Sequence, residues 1–354
     1  MSDISLATVL AAVILLSLNA YAVLGGADFG GGVWDLLASG PRRARQRALI
    51  AGAISPIWEA NHVWLILAIV LLFTCFPAAF ARVAIVLHIP LVLILVGIVL
   101  RGSAFTFRSY DSRRDAVQRR WGAVFSGASI ITPLLLGAAI GAVATGRVTA
   151  PAGSFASGYI RPWATPFALA TGCLALALFA FLAAVYLTVE AGDDRPLADD
   201  FRRRALGTAA AAVVIALGSL LVARRGAPMM HAGLTVSRWA LPLHAAAAVA
   251  AASAIGALLL RRYRLARVAA AALVSLIIWG WGAAQYPFIV PPDLTIAETA
   301  APATTLRFVA LGLVAGGLIL VPSLVYLFRV FKSAGSMNAA HEVPHRLDQQ
   351  ERHD

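Results

Sequence analysis

Charged residues are scarce in this 354-residue chain. Only 13% of the residues are charged and 60% are hydrophobic, whereas a soluble globular domain has about 25% charged residues. The mean hydropathy is +0.81. The composition therefore excludes an ordinary soluble domain and predicts a membrane protein.

Cysteine is also scarce, which excludes several kinds of site. Cys75 and Cys173 lie in or at the ends of separate apolar runs, and the sequence has no CxxC or CxxCH pattern. A disulfide framework, motif-based covalent haem attachment and the cysteine-based zinc motifs are therefore excluded. We interpret both cysteines as packing residues.

Apolar runs are abundant, and nine of them approach the ~20 residues that a helix needs to span a bilayer. They lie at residues 6–27, 50–73, 78–100, 121–144, 165–188, 205–223, 239–260, 268–288 and 307–330. The pattern predicts an all-α, polytopic membrane protein with nine transmembrane helices, arranged as two four-helix bundles plus one helix. We assign residues 1–332 to this transmembrane domain and 333–354 to a polar, disordered cytoplasmic tail.

The distribution of basic residues predicts the orientation. Of the 29 Lys and Arg residues, 22 fall on one side of the nine runs and 7 on the other. This bias places the N-terminus outside and the C-terminus in the cytoplasm. The net charge of +12 thus reflects loops that orient the chain and contact lipid headgroups, and not a nucleic-acid-binding surface. The first run lacks a basic segment before it, so we expect a retained helix and not a signal peptide.

A carboxylate and an imidazole lie within the second apolar run. On a continuous helix Ser55, Glu59 and His62 would share one face. An ionisable group at the bilayer centre costs roughly 2.5–3.5 kcal/mol, so it persists where it has a function or a partner. A polar patch for helix packing is the alternative.

Depth along the helices suggests a series of titratable groups. With a rise of about 1.5 Å per residue, Asp28 and Arg101 fall near the cytoplasmic ends of the first and third runs. Counted from residue 50, Glu59 and His62 fall roughly 13–18 Å above that surface, and His88 falls near the middle of the third run. Such a series is what a proton route requires.

Glycines surround Asp28. Gly26 and Gly30 match a GxxxG packing pattern, which is a weak motif. No strand precedes the segment, so we discount phosphate binding by the glycines. We expect close helix packing followed by a flexible exit from the bilayer, and Asp28 by itself could be an interfacial residue.

Haem ligation by two histidines would need imidazoles at matched depth on facing helices. Only His62 and His88 approach that condition, because His244 lies near the outer end of the seventh run and His231 in an outer loop. We therefore do not favour a haem on this chain, and we predict no metal site.

The sequence resembles subunit II of the cytochrome bd-type quinol oxidases. Matching segments are residues 21–32 (YAVLGGADFGGG), 56–65 (PIWEANHVWL), 101–108 (RGSAFTFR), 286–296 (YPFIVPPDLTI) and 321–332. They occur in order from end to end, and the WExNHVW string is specific. The family's nine helices agree with the hydropathy.

The resemblance implies a bacterial plasma-membrane complex that takes electrons from quinol and reduces oxygen to water. In the family, haems b and d and quinol oxidation belong to subunit I, the expected heterodimer partner, and a small accessory subunit can join them. Subunit II is similar in fold to subunit I, supports assembly and contributes a cytoplasmic proton route. No cofactor is expected on this chain itself, although some members bind a structural quinone in this subunit.

The same resemblance implies roles for particular residues. The family's acidic positions fall on Asp28 and Glu59, and its basic position falls on Arg101. We add His62 to this proton pathway as a further relay or as a partner of Glu59. Some members have aspartate where this chain has Glu59. Trp58 stands where a quinone or the subunit interface is contacted.

Two other readings remain open from the sequence. A secondary transporter would also carry intramembrane Glu, His and Arg, but the sequence shows no pair of Gly/Pro-broken helices at matching places in two halves. A purely structural anchor subunit would have no proton role.

Overall fold

The computed structural model describes the backbone of residues 5–54, 58–110, 115–320, 322–323 and 325–326. It describes the side chains of these residues except 58–60, 108–110 and 115–119. The chain divides into two compact units, Met1–Ala301 and Pro302–Asp354. The predicted tail, 333–354, lies outside the described residues.

Helices form almost all of the described part of the first unit. In chain order they are α1 (Leu6–Leu36), α2 (Arg43–Ile54), α3 (Trp58–Cys75), α4 (Pro77–Val86), α5 (His88–Tyr110), α6 (Asp115–Ala144), a short π-helix (Ala156–Ile160), α7 (Pro166–Glu190), α8 (Arg195–Gly226), α9 (Pro228–Val236), α10 (Ala240–Leu259), α11 (Tyr263–Gln285) and α12 (Ile296–Thr299). The second unit contains one long apolar helix, α13 (Ala303–Leu320). The all-α prediction is confirmed.

The predicted number of spans also agrees with the structure. Within the described residues, eight helices are long and apolar enough to cross a membrane. A ninth span exists if Asn61–Cys75 and Pro77–Val86, which meet at an angle of 118°, count as one broken span. The protein is therefore a multi-pass membrane protein.

The second and third predicted spans have different boundaries in the structure. The predicted helix over 50–73 is replaced by α2 and α3, on either side of residues 55–57. The predicted span at 78–100 begins instead at His88, because Pro77–Val86 forms the separate helix α4. Pro77 stands in the first turn of α4, where proline needs no hydrogen-bond donor, and it prevents α3 from continuing. Hydropathy alone could not show this break, since both sides are equally apolar.

Helix α7 is the centre of the first unit, and 61% of its apolar 18-residue stretch is buried. It packs against α1, α6, α8 and α11. Further contacts join α1, α3, α5 and α6 on one side and α7, α8, α10 and α11 on the other, in keeping with two four-helix groups. Many of the buried side chains are alanines, which let helix backbones approach closely.

The segment after α11 forms a small hairpin. Strands β1 (Phe288–Val290) and β2 (Leu294–Thr295) pair antiparallel, with Phe288 opposite Thr295. A capping box between Thr295 and Glu298 starts α12. Asp293 of the hairpin lies 3.5 Å from Arg82, which ties the hairpin to α4.

Close packing of α1 on α7 leads to a stability prediction. A Cβ atom at Gly30 would fall on the backbone carbonyl of Phe179, so Gly30→Ala should destabilise the protein by about 1–3 kcal/mol. The matched control is Gly218→Ala in α8, where nothing lies within 4 Å of the added atom. Thermal unfolding of the purified chain in detergent, followed by size-exclusion chromatography, measures both. Equal melting temperatures for the two variants would contradict the close contact.

Candidate functional site

Glycines allow α1 to bring Asp28 into the interior. A Cβ at Gly26 would lie 2.6 Å from Phe179 Cδ1, and one at Gly30 would fall on the Phe179 backbone. The GxxxG interpretation as a packing face is thus confirmed. The expected flexible exit is wrong, because α1 continues through the glycines to Leu36.

The Asp28 carboxylate is buried between α1 and α3. Asp28 is 4% exposed and Asn61 is 1% exposed, and the side-chain amide of Asn61 donates a hydrogen bond to Asp28 Oδ2. A buried carboxylate needs such a donor, since losing its water contacts is costly. Asp28 is therefore a core residue and not an interfacial one.

Arg101 supplies the opposite charge. It is 2% exposed, and it interacts electrostatically with Asp28. Its Cζ lies 4.7 Å from the ring centroid of Phe29 and 5.2 Å from that of Phe125, so aromatic faces hold the guanidinium. Its Nε and Nη2 atoms are buried and have no hydrogen-bond partner among the described residues. Asp28 and Arg101 thus lie near each other, as their predicted shared level requires.

His62 joins this cluster through Tyr21. The two rings meet edge to face with centroids 5.9 Å apart, and Tyr21 also meets Phe29 at 6.5 Å. Tyr21 is 4% exposed. We call Tyr21, Asp28, Asn61, His62 and Arg101 the buried polar cluster.

Glu59 and Trp58 lie in the first turn of α3, but their side chains, and all of Ser55, lie outside the described residues. The backbone nevertheless corrects the predicted depth of Glu59. Asn61 contacts Asp28, and Glu59 precedes Asn61 by two residues, a rise of about 3 Å. The Glu59 backbone is therefore near the level of Asp28 and not above it, because the predicted depth assumes one continuous helix from residue 50.

Asn61 and Tyr21 are the members of the cluster that the sequence did not single out. Both lie within the segments that resemble the family, residues 21–32 and 56–65, but the resemblance assigns neither of them a role. An amide within an apolar span was the available signal, because such a group usually needs a partner on a neighbouring helix.

His88 is not near the middle of its span. It begins α5, its Nδ1 lies 2.9 Å from the Ile85 carbonyl oxygen, and its exposed ring packs on Tyr159 at 5.0 Å. The reason is that α4 takes up the residues expected to form the outer half of the span.

The two histidines do not fit a common haem. His62 is in the second turn of α3, while His88 follows α4 beyond the far end of α3. A further 13 residues of α3, or about 20 Å, separate His62 from that end. Among the described residues no group of three or more His, Cys, Asp or Glu side chains could hold a metal ion.

Comparison with known proteins places this chain in a family. The family described as cytochrome bd terminal oxidase subunit II matches residues 6–331. The chain belongs to this family. The buried polar cluster therefore lies in a subunit of a quinol oxidase complex.

Two curated relatives show how far the similarity extends. A Bacillus subtilis (strain 168) protein, itself provisionally assigned as cytochrome bd menaquinol oxidase subunit II, is 22% identical over 323 residues, 88% of this chain and 91% of that protein. Cytochrome bd-I ubiquinol oxidase subunit 2 of Escherichia coli (strain K12) is 28% identical over 199 residues, 55% of this chain and 50% of that protein.

A solved structure shows the same fold. A chain of the bd oxidase from Geobacillus thermodenitrificans superposes with a TM-score of 0.76 at 22% identity, covering 92% of this chain and 98% of that chain. The two chains therefore share the arrangement of their helices.

This geometry predicts that the effects of Asp28 and Arg101 substitutions on the stability of the protein depend on each other. Asp28→Asn or Arg101→Gln alone leaves one buried charge uncompensated and should cost about 3–5 kcal/mol of stability. The double variant should cost less than the sum of the two single costs. Unfolding of the four proteins in detergent measures this coupling.

The control is the pair Glu190 and Arg267, whose atoms lie 3.7 Å apart with side chains 41% and 35% exposed. The Glu190→Gln and Arg267→Gln cycle should couple by about 0.2–1 kcal/mol. Additive costs for Asp28 and Arg101 would show that their charges do not compensate each other.

Proposed function

We propose that this chain is the haem-free subunit II of a cytochrome bd-type quinol oxidase. It binds subunit I, supports assembly of the complex and delivers protons from the cytoplasm toward the site of oxygen reduction. Haems b and d and quinol oxidation reside on subunit I. The N-terminus is outside and the C-terminus is cytoplasmic, in accord with the 22-to-7 distribution of basic residues.

Burial of Asp28 beside Arg101 is the observation that carries the proton role. Both side chains are at most 4% exposed, in a helix bundle where an ionisable group is costly. Asn61 fixes one carboxylate oxygen. A carboxylate held by an amide and a nearby cation, within a few residues of Glu59 and His62, has the composition of a proton-transfer site.

Water completes the proposed route. The unpartnered Nε and Nη2 atoms of Arg101 are donors that bound waters would satisfy, and a buried polar site of this kind usually holds them. Protons enter at Asp28 and pass through such waters to Glu59. His62 receives them or orients Glu59, and they then cross into subunit I.

Arg101 and Asn61 have separate tasks in this scheme. The Arg101 guanidinium supplies a positive charge near Asp28, which partly offsets the cost of holding a carboxylate in the interior. Asn61 keeps the carboxylate aimed toward α3, the helix that carries Glu59. Tyr21 closes the cluster on the side of His62.

Glu59→Gln should separate proton delivery from assembly. The amide cannot carry a proton, so quinol oxidase turnover of the purified complex should fall on the order of a hundredfold, while haem content stays unchanged. Glu190→Gln is the matched control, because Glu190 is partly exposed at the end of α7. Oxygen consumption and the reduced-minus-oxidised spectrum are measured on the same samples.

Full turnover in the Glu59→Gln complex would remove Glu59 from the pathway and favour a purely structural anchor subunit. Loss of haem together with turnover would instead indicate an assembly defect. Family membership leaves no observation in favour of a secondary transporter.

Spectra of the chain alone test its haem-free state. Purified alone in mild detergent it should be colourless, whereas co-expression with subunit I should give b and d haem bands, because His62 and His88 cannot share a haem. A haem band from the chain alone would place it in the electron path. His62→Ala, compared with His231→Ala, would then show whether His62 is a ligand.

A further inference from the structure

A cavity lies at the basic end of the first unit, between α2 and α8, away from the buried polar cluster. It has a volume of about 290 Å³, small for a whole organic ligand but sufficient for a headgroup. The loop 39–41 lines it together with Arg42, Gln46, Asp200, Arg203 and Arg204. We call it the α2–α8 cavity.

The single carboxylate in the α2–α8 cavity is already neutralised. Asp200 accepts hydrogen bonds from Arg42 Nε at 2.8 Å and Arg42 Nη2 at 2.6 Å. Gln46, which is 3% exposed, donates to the same carboxylate at 3.0 Å. Asp200 therefore cancels the charge of Arg42, and the remaining two arginines give the cavity a net positive charge.

Arg204 is held rigidly in the cavity wall. Its Nη2 atom donates to Gln46 Oε1 at 2.8 Å and to the Leu37 carbonyl at 3.2 Å. Its Cζ lies 5.4 Å and 5.2 Å from the ring centroids of Trp34 and Phe201. Its Nη1 atom, however, is buried and has no hydrogen-bond partner among the described residues.

Arg203 is a second arginine in the cavity with side-chain donors available to an anion. It is exposed, lines the cavity, and forms no ion pair or hydrogen bond with any residue that the structure describes. A buried hydrogen-bond donor without an acceptor is costly. Two neighbouring guanidinium groups with free donors are well suited to binding an anion such as phosphate.

We propose that the α2–α8 cavity binds the phosphate group of an anionic ligand, held by Arg203 and by Arg204 Nη1. A guanidinium matches a phosphate geometrically, and basic pockets between helices at the membrane surface suit lipid headgroups. Leu37 contacts Arg204 of the cavity wall through its carbonyl oxygen, and Leu36 precedes it in the chain. Their side chains are 52% and 48% exposed, which favours a phospholipid over free phosphate. The site is independent of the proposed proton route.

Native mass spectrometry of the full chain in mild detergent tests the proposal. The chain is incubated with equal amounts of phosphatidylglycerol and phosphatidylcholine, and the bound lipids are counted. The wild type should retain one phosphatidylglycerol preferentially. Arg204→Gln and Arg203→Gln should each weaken its retention about tenfold, the loss of one charge-assisted contact.

The matched control is Arg225→Gln, which removes the same charge from an exposed residue at the opposite end of α8. This variant should retain the lipid as the wild type does. Arg203→Gln guards against a folding defect, because the Arg203 side chain supports no other described residue, whereas Arg204 also holds Gln46 and Leu37. Equal retention by all four proteins would overturn the proposal.

A titration with inorganic phosphate distinguishes the two sources of the anion. If phosphate binds in the millimolar range with the same dependence on Arg203 and Arg204 while phosphatidylglycerol is not retained, the cavity binds free phosphate. If phosphatidylglycerol is retained and phosphate does not displace it, the ligand is the lipid headgroup. Binding of neither, or binding that does not depend on the two arginines, contradicts the site.

Discussion

The attraction between Asp28 and Arg101 in the interior of the helix bundle is the interaction on which the candidate site depends. Neither charge would be tolerated alone there, since removing an ion from water costs several kcal/mol. Together with the Asn61 amide and the aromatic faces of Phe29 and Phe125, they form the centre of the buried polar cluster. Helices α1, α3 and α5 are joined through this contact.

Close packing makes that contact geometrically available. Gly26 and Gly30 let α1 rest on Phe179 of α7, which brings α1 deep into the centre of the first unit. The break between α3 and α4 has a related effect. Because α4 turns away at Pro77, α5 starts at His88 and reaches the level of Asp28 with Arg101.

The two charged sites of the protein differ in how their charges are balanced. In the buried polar cluster one carboxylate is near one guanidinium, and two nitrogen atoms of that guanidinium have no hydrogen-bond partner among the described residues. In the α2–α8 cavity three arginines surround one aspartate, which leaves two guanidinium charges without a carboxylate in the lining. The first arrangement is the basis of the proposed proton role, and the second is the basis of the proposed phosphate site.

Sequence by itself determined the membrane class, the number of spans, the family resemblance and the common level of Asp28 and Arg101. Each follows from composition, from helical rise or from motifs that survive any packing. Only the tertiary structure decided that Asn61 binds Asp28, that Glu59 is level with Asp28, and that His62 and His88 lie apart. These depend on where apolar helices break and which faces meet, and hydropathy is the same on both sides of such a break. The uncompensated arginines of the α2–α8 cavity likewise appear only once α2 and α8, some 150 residues apart in sequence, are in contact.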